Sequence, residues 1–261
     1  MKCFLSVSLA ILLSACHTKI PVVKSNQLVQ ADTTHINNEG DFFDYSLMIQ
    51  GDSALPTGFV ADSVSFKDST LQITADLMYA YPTSLSEYKE LVVRTVDTTF
   101  KEFQKSIEKN IKDTSSLSED EYTQFSMGPL NFYQDDNIVS VRFITFIYAT
   151  GAAHAISGLR SVNFDKRTST PFKVNEYFTF KTSEDSNLII KVLNKKFYDL
   201  EGNLAEGNPW KFYHLNNIDF NLTKDTICFN FSDYALGQGP SMMNYKVSKK
   251  ELTSIINPQY R

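Results

Sequence analysis

The chain has 261 residues, a formal net charge of −5, 42% hydrophobic and 13% aromatic residues, three cysteines and four histidines. That hydrophobic content suits a packed core and excludes a disordered stalk, while the interspersed charges provide no Lys/Arg stripe to track phosphates, so nucleic acid is not an expected partner. Beyond the N-terminus no stretch approaches the roughly 18 apolar residues of a membrane-spanning helix, which leaves one large or two small folded units.

Lys2 precedes a short apolar run from Phe4 to Leu13, and small residues then lead into a cysteine in Leu13-Ser14-Ala15-Cys16. The run is too brief to span a bilayer. The pattern resembles the lipobox of bacterial lipoproteins. That resemblance implies that residues 1–15 are a signal peptide and that Cys16, acylated after cleavage, anchors the protein in a lipid bilayer through several chains. The expected location is the bacterial cell envelope, at the outer membrane or in the periplasm. His17, instead of Asp, after the lipidated cysteine argues against inner-membrane retention. Cys3 leaves with the signal and Cys16 carries lipid, so Cys228 has no partner for an intrachain disulfide. In Ile227-Cys228-Phe229 it reads as a small buried strand residue. Residues 16–40 are polar and aperiodic, a tether with a reach of about 25–30 Å.

Order is expected from Phe42. Tyr45–Gln50 and Phe59–Phe66 suit strands, and the alternation of Leu71, Ile73, Ala75, Leu77 and Tyr79 with mostly polar residues predicts a half-buried strand that Pro82 ends. Ser84 and Glu87 have capping-box spacing ahead of a long helix. Its apolar stripe comprises Leu85, Tyr88, Val92, Val96, Phe100, Phe103, Ile107 and Ile111, which predicts packing against a sheet. Ser115–Asp120 is a polar loop. Phe125–Tyr133 and Ile138–Ala149 form a hairpin around Gln134–Asn137, and the second strand is apolar on both faces, as a central strand covered on two sides should be. Leu159–Phe164 is its antiparallel neighbour. A second helix runs from Thr182 to Leu200, capped near Ser183, with Ile189 and Leu193 inward and Gly202 past its end. Ile218–Leu222 and Ile227–Phe231 form another hairpin around Lys224-Asp225. Ser248 and Glu251 make a capping box that opens a short closing helix through Leu252, Ile255 and Ile256. The expected class is α+β, with antiparallel sheets packed against one long helix and one or two shorter ones.

The stretch Tyr148-Ala-Thr-Gly151-Ala-Ala-His154, then Ser161-Val-Asn163-Phe-Asp165 and Phe172-Lys-Val-Asn-Glu-Tyr-Phe178, resembles the RsiV-type envelope domain. That domain forms the lysozyme-sensing part of certain anti-sigma factors and accompanies peptidoglycan deacetylases of the PdaC type. Phe231-Ser-Asp-Tyr234-Ala-Leu-Gly-Gln-Gly239-Pro and Tyr245 are similar to its C-terminal strand and Gly-rich loop. The resemblance implies two consecutive subdomains, 41–117 PdaC-like and 118–261 RsiV-like. Ala152 and Ala155 stand where the family favours glycine, so the loop can keep its shape only if neither position needs positive φ. Tyr148, Gly151, His154, Asn163 and Asp165 are the candidate binding residues. His154 either recognises a ligand or fixes a tight β-connection by hydrogen bonding, and Asp165 could orient its imidazole.

No paired histidines, nucleophile elbow or phosphate-binding glycine loop occurs in the sequence, and neither a metal nor a cofactor is expected. The transmembrane and cytoplasmic segments of an anti-sigma factor are not found, nor is the deacetylase's zinc-binding pattern. The expected function is a non-catalytic, lipid-anchored binding module of the cell envelope that recognises a lysozyme-like protein or peptidoglycan. The alternatives are a wall-glycan hydrolase whose two carboxylates the sequence does not place, and a structural lipoprotein.

Overall fold

The structure, a computed structural model, describes residues 55–110, 122–149, 152–201, 218–232 and 243–261. Cys16 and the tether, the expected Tyr45–Gln50 strand, the Ser115–Asp120 loop, Gly151 and the Gly-rich segment at 237–240 lie outside the described residues. Strands β1 (Phe59–Asp68) and β2 (Ile73–Pro82) form an antiparallel hairpin. Its turn is closed by the Asp68 carboxylate, which accepts from the backbone N–H groups of Thr70 and Leu71 at 2.8 and 3.0 Å, and Gln72 enters the left-handed region at φ 50°. Helix α1 (Ser86–Asn110) then crosses back, so β3 (Thr123–Gln134) lies parallel to β2. A parallel pair requires a crossover of this kind.

The stripe on α1 is the core stripe: Tyr88, Val92 and Val96 are fully buried, and Phe100 and Phe103 nearly so. The helix starts two residues after Ser84. Leu85 donates its N–H to the Pro82 carbonyl in a preceding turn and accepts from Lys89 N–H at 3.0 Å, so Leu85 holds the position that the Ser84–Glu87 spacing assigns to Ser84.

β3 turns into β4 (Ile138–Tyr148), followed by β5 (Ile156–Asp165) and the short β6 (Thr170–Pro171). The six strands lie in chain order in one sheet, with every neighbouring pair antiparallel except β2–β3. In β3 the pairing passes from Pro129↔Phe143 directly to Asn131↔Arg142, leaving Leu130 as a bulge. The extra residue reverses the facing of everything after it. Phe132 thereby joins the core on the α1 side opposite Val141, and Asn131 turns to the other face beside Arg142.

A one-turn helix α2 (Val174–Tyr177) and helix α3 (Ser183–Glu201) lead to a second sheet, β7 (Asp219–Leu222), β8 (Thr226–Phe231) and β9 (Met243–Ser248), all antiparallel. The cap of α3 is Thr182, one residue before Ser183: its N–H donates to the Asp185 carboxylate at 2.8 Å and its hydroxyl accepts from Asp185 N–H at 3.4 Å. The Ser248–Glu251 box forms, but it opens a 3-10 turn, Lys249–Leu252, and no α-helix follows.

Among the described residues two large apolar cores result, beside a small cluster of Ile144 and Leu159. One lies between α1 and the large sheet, and the other, including Phe178, Ile189, Leu193, Phe220, Phe229, Val247 and Ile255, lies on the far face of the small sheet. β4 belongs to both layers. Val139, Val141 and Phe143 face α1, whereas Ser140 and Arg142 face the small sheet. The large sheet continues across the 117/118 division, which itself falls among residues outside the description.

Candidate binding site: a polar layer and the cleft beside it

Between the two sheets lies a layer of hydrogen-bonded side chains. Strand alternation puts Phe220 and Leu222 into the apolar core and turns Asp219 and Asn221 toward β5 and β4. In the same way Phe229 and Phe231 turn inward and Asn230 outward. Asn221 and Asn230 are nevertheless buried, at 0% and 4% exposure. Burial of such groups is tolerable only when their hydrogen bonds are made.

Here they are. The Asn230 amide nitrogen faces three acceptors: Ser161 Oγ at 3.0 Å, Asn221 Oδ1 at 3.0 Å and Asp219 Oδ2 at 3.1 Å. Its carbonyl oxygen accepts from Asn244 at 2.5 Å and Arg142 at 3.2 Å. Asn221 donates to Asn131 at 3.3 Å, the residue that the bulge delivers to this face. Ser140 donates to Asn163 at 2.6 Å and accepts from Leu222 N–H at 2.8 Å, while Asn163 donates to the Phe220 carbonyl at 2.7 Å.

β5 exposes part of one edge, because β6 pairs only with Phe164 and Asp165. Side chains from the small sheet take the place of a neighbouring strand. Ser232 Oγ accepts from Leu159 N–H at 3.0 Å, and the Asp219 carboxylate accepts from Ser161 N–H at 2.9 Å and from its hydroxyl at 2.7 Å. An open edge is thereby closed to further strand addition. Burial pushes the Asp219 carboxyl above the usual range, against the pull of the Ser161 and Asn230 donors. Burial likewise lowers the Arg142 guanidinium, whose Nε has no hydrogen-bond partner among the described residues.

Beside this edge is a cleft of about 480 Å³, lined by Thr99 of α1, Thr145, Gly158, Arg160, Asp219, Asn230 and Ser232 among others. Arg160 and Glu102 form a solvent-exposed ion pair at 3.7 Å next to it. Hydroxyl, amide, guanidinium and carboxylate groups therefore converge on one opening. Asp219 is the one carboxylate among its lining residues.

The residues singled out in the sequence separate into three places. Tyr148 and His154 lie at the connecting-loop end of the β4–β5 hairpin, where Tyr148 and Ile156 are 38% and 48% exposed. His154 is exposed, and its Nδ1 lies 3.1 Å from the Ala155 carbonyl. Asn163 is buried in the polar layer and joins the sheets. Asp165 ends β5, roughly 30 Å of strand away from His154, so it does not orient that imidazole. Its carboxylate instead receives a two-pronged bond from Arg167, at 3.0 and 2.7 Å, which holds it below the usual carboxylate range. Ala155 does not adopt positive φ, so the loop does not require glycine there. The sequence reading missed Arg142, Ser161, Asp219, Asn221 and Asn230, because polar residues alternating with Phe and Leu look like a solvent face.

Among the described residues no three His, Cys, Asp or Glu side chains converge as for a metal, and no helix is long and apolar enough to cross a membrane. The architecture defines an α+β domain of two sheets sharing a polar layer. No protein-family model and no curated protein matches the chain. Among solved structures it is similar to a DUF3298 family protein, a domain of unknown function, from Pseudomonas aeruginosa PAO1. That match has a TM-score of 0.51 at 14% identity and covers 80% of this chain and 97% of that one. A member of the same family from Bacteroides fragilis NCTC 9343 gives a TM-score of 0.44 at 17% identity, over 76% and 94% of the two chains. The first likeness establishes the fold.

Proposed function

We propose that this chain is a non-catalytic envelope module, anchored to a lipid bilayer through acylated Cys16, that recognises cell-wall glycan in the cleft between α1, β5 and the small sheet. The observation that carries the reading is the cleft's lining. Thr99, Thr145, Arg160, Asp219 and Ser232 present donors and acceptors at one opening, and the Asp219 carboxylate is already fixed by Ser161 and by the Asn230 amide behind it. A hydroxyl-rich saccharide matches such a surface, and preorganisation lowers the entropy cost of binding it. A second reading, a lysozyme-like protein as partner, is favoured by exposed Tyr148 and Ile156 flanking the His154 loop, since aromatic and aliphatic groups at a rim serve as protein anchors.

Pull-down of purified wall fragments and of lysozyme with the full chain in detergent tests both. Arg160→Ala removes a half-exposed side chain whose ion pair contributes little to stability. It should cut retention of wall fragments several-fold and leave the melting temperature unchanged. Unchanged retention would refute the cleft as the glycan site. Loss of lysozyme capture in Tyr148→Ala would favour the protein partner.

A further inference from the structure

At the opposite end of β4, roughly 23 Å along the strand from Thr145, a second cavity of about 350 Å³ opens between the β3–β4 turn and the C-terminal turns. It is cationic in a chain whose net charge is negative: Lys224, Lys249, Lys250 and Arg261, the last donating also to the Ile256 and Ser254 carbonyls, line it together with a single side-chain carboxylate, Asp135. That carboxylate is already engaged. Asp135 accepts from Tyr133 Oη at 2.6 Å and from the N–H groups of Asn137 and Ile138 at 2.8 and 2.7 Å. Although burial opposes it, these donors and Lys249 hold the carboxyl below its ordinary range. None of the four cations forms an ion pair with a described carboxylate.

Lys249 is the informative one. It is half-buried at the start of the 3-10 turn, with its ammonium 5.0 Å from the centre of the Tyr133 ring. Burial lowers its pKa, opposed only in part by Asp135 and by Asp225 from the β7–β8 turn. Behind the cavity wall Tyr177 is fully buried and stacks on Tyr260 at 5.3 Å, and its hydroxyl has no hydrogen-bond partner among the described residues. Tyr133, Asp135 and Tyr260, all lining residues, are near enough to act on that hydroxyl electrostatically. A desolvated ammonium facing the cavity carries a cost that an oxyanion would relieve.

We propose that this cavity binds a phosphate group, with Lys249 as the inner contact and Lys224, Lys250 and Arg261 around it. Several converging cations suit a multiply charged oxyanion. The site is distinct from the glycan cleft and would let the module engage a phosphorylated envelope component with its other end.

Thermal unfolding of the full chain in detergent, titrated with inorganic phosphate at constant ionic strength against chloride, reads the site directly. Phosphate should raise the melting temperature saturably, because a ligand that binds only the folded state stabilises it, and chloride should not. Lys249→Met should weaken the apparent phosphate affinity at least about tenfold. The solvent-exposed pair Lys224→Gln/Lys250→Gln should do so with an unchanged melting temperature in chloride. Titration with glycerol phosphate and with a hexose phosphate separates a lipid-headgroup source from a saccharide source, the tighter ligand naming it. Equal shifts with phosphate and chloride, or wild-type phosphate response in the double variant, would overturn the proposal. Wall-fragment retention by that variant should match wild type, which keeps this test independent of the cleft.

Discussion

Replacing Asn230 by Ala would remove the hub of the polar layer without touching either apolar core. The amide makes contact with Arg142, Ser161, Asp219, Asn221 and Asn244, all within 3.2 Å. Its removal leaves at least two of these groups buried and unpaired, and each such group costs about 1–3 kcal/mol. Ser161 and Asp219 retain bonds to one another, so they contribute less to the loss. The expected destabilisation is about 3–5 kcal/mol, large against a domain's usual margin. Urea unfolding measures it as a lower midpoint with an unchanged slope. The slope matters, since a change in it would signal an altered denatured state. Combining the change with Asn244→Ala should show coupling of at least about 1 kcal/mol, because the two side chains are bonded. A loss under about 1 kcal/mol would mean that water or rearranged neighbours satisfy the layer, and the reasoning from buried polar groups would fail.

Phe100→Ala should cost about 3–5 kcal/mol by chemical denaturation, since the ring is 8% exposed and packs on Phe66, Phe103 and Phe125. Asp165 has its carboxyl held below the ordinary value by Arg167, so its contribution is fully present above about pH 4 and disappears as pH falls through the folded-state value. Melting temperatures between neutral pH and pH 2 should therefore fall more steeply in wild type than in Asp165→Asn, which starts lower at neutral pH. His154→Ala should change stability by less than about 0.5 kcal/mol in thermal unfolding, because the ring is exposed, and a larger loss would restore its structural role. Cys16→Ala should abolish acyl labelling and release the chain from membranes, and retention after a high-salt wash would refute the lipobox reading.

Where side-chain period alone decides, the fold was legible in the sequence. The stripe on α1, the two-sided apolar run of β4 and the alternation in β7 and β8 each record which face meets hydrocarbon. The parallel pairing of β2 with β3 was not legible, because strand partners depend on where a crossover helix lands. Nor were β6, α2 and most of β9, which are too short or too polar to show a period. Ser84 misled because a capping box needs backbone geometry as well as spacing, and the turn from Pro82 to Leu85 claims those residues first. The cleft residues were hidden for a different reason. Asp219, Asn221 and Asn230 are polar at alternate positions, and alternation distinguishes core from non-core without saying whether water or another side chain completes the hydrogen bonds. Asn163 was picked out and does sit in that layer, yet it serves there as a tie between sheets.

The bulge at Leu130 means that β3 is written in two phases. Up to Pro129 the odd-numbered residues face α1, and from Phe132 the even-numbered ones do. A strand of a single phase could slide along its neighbour by two residues and still present apolar groups to the helix, whereas a two-phase strand matches β4 at one alignment only. Pairing the same residues one for one, without the bulge, would set Leu130 opposite Arg142 and Asn131 opposite Val141, carrying Asn131 toward the core and Phe132 into the polar layer. The single unpaired residue thus acts as a punctuation mark for the whole hairpin, and, the loss of Leu130 itself apart, insertions or deletions between Thr123 and Gln134 should be tolerated far less than substitutions at the same positions.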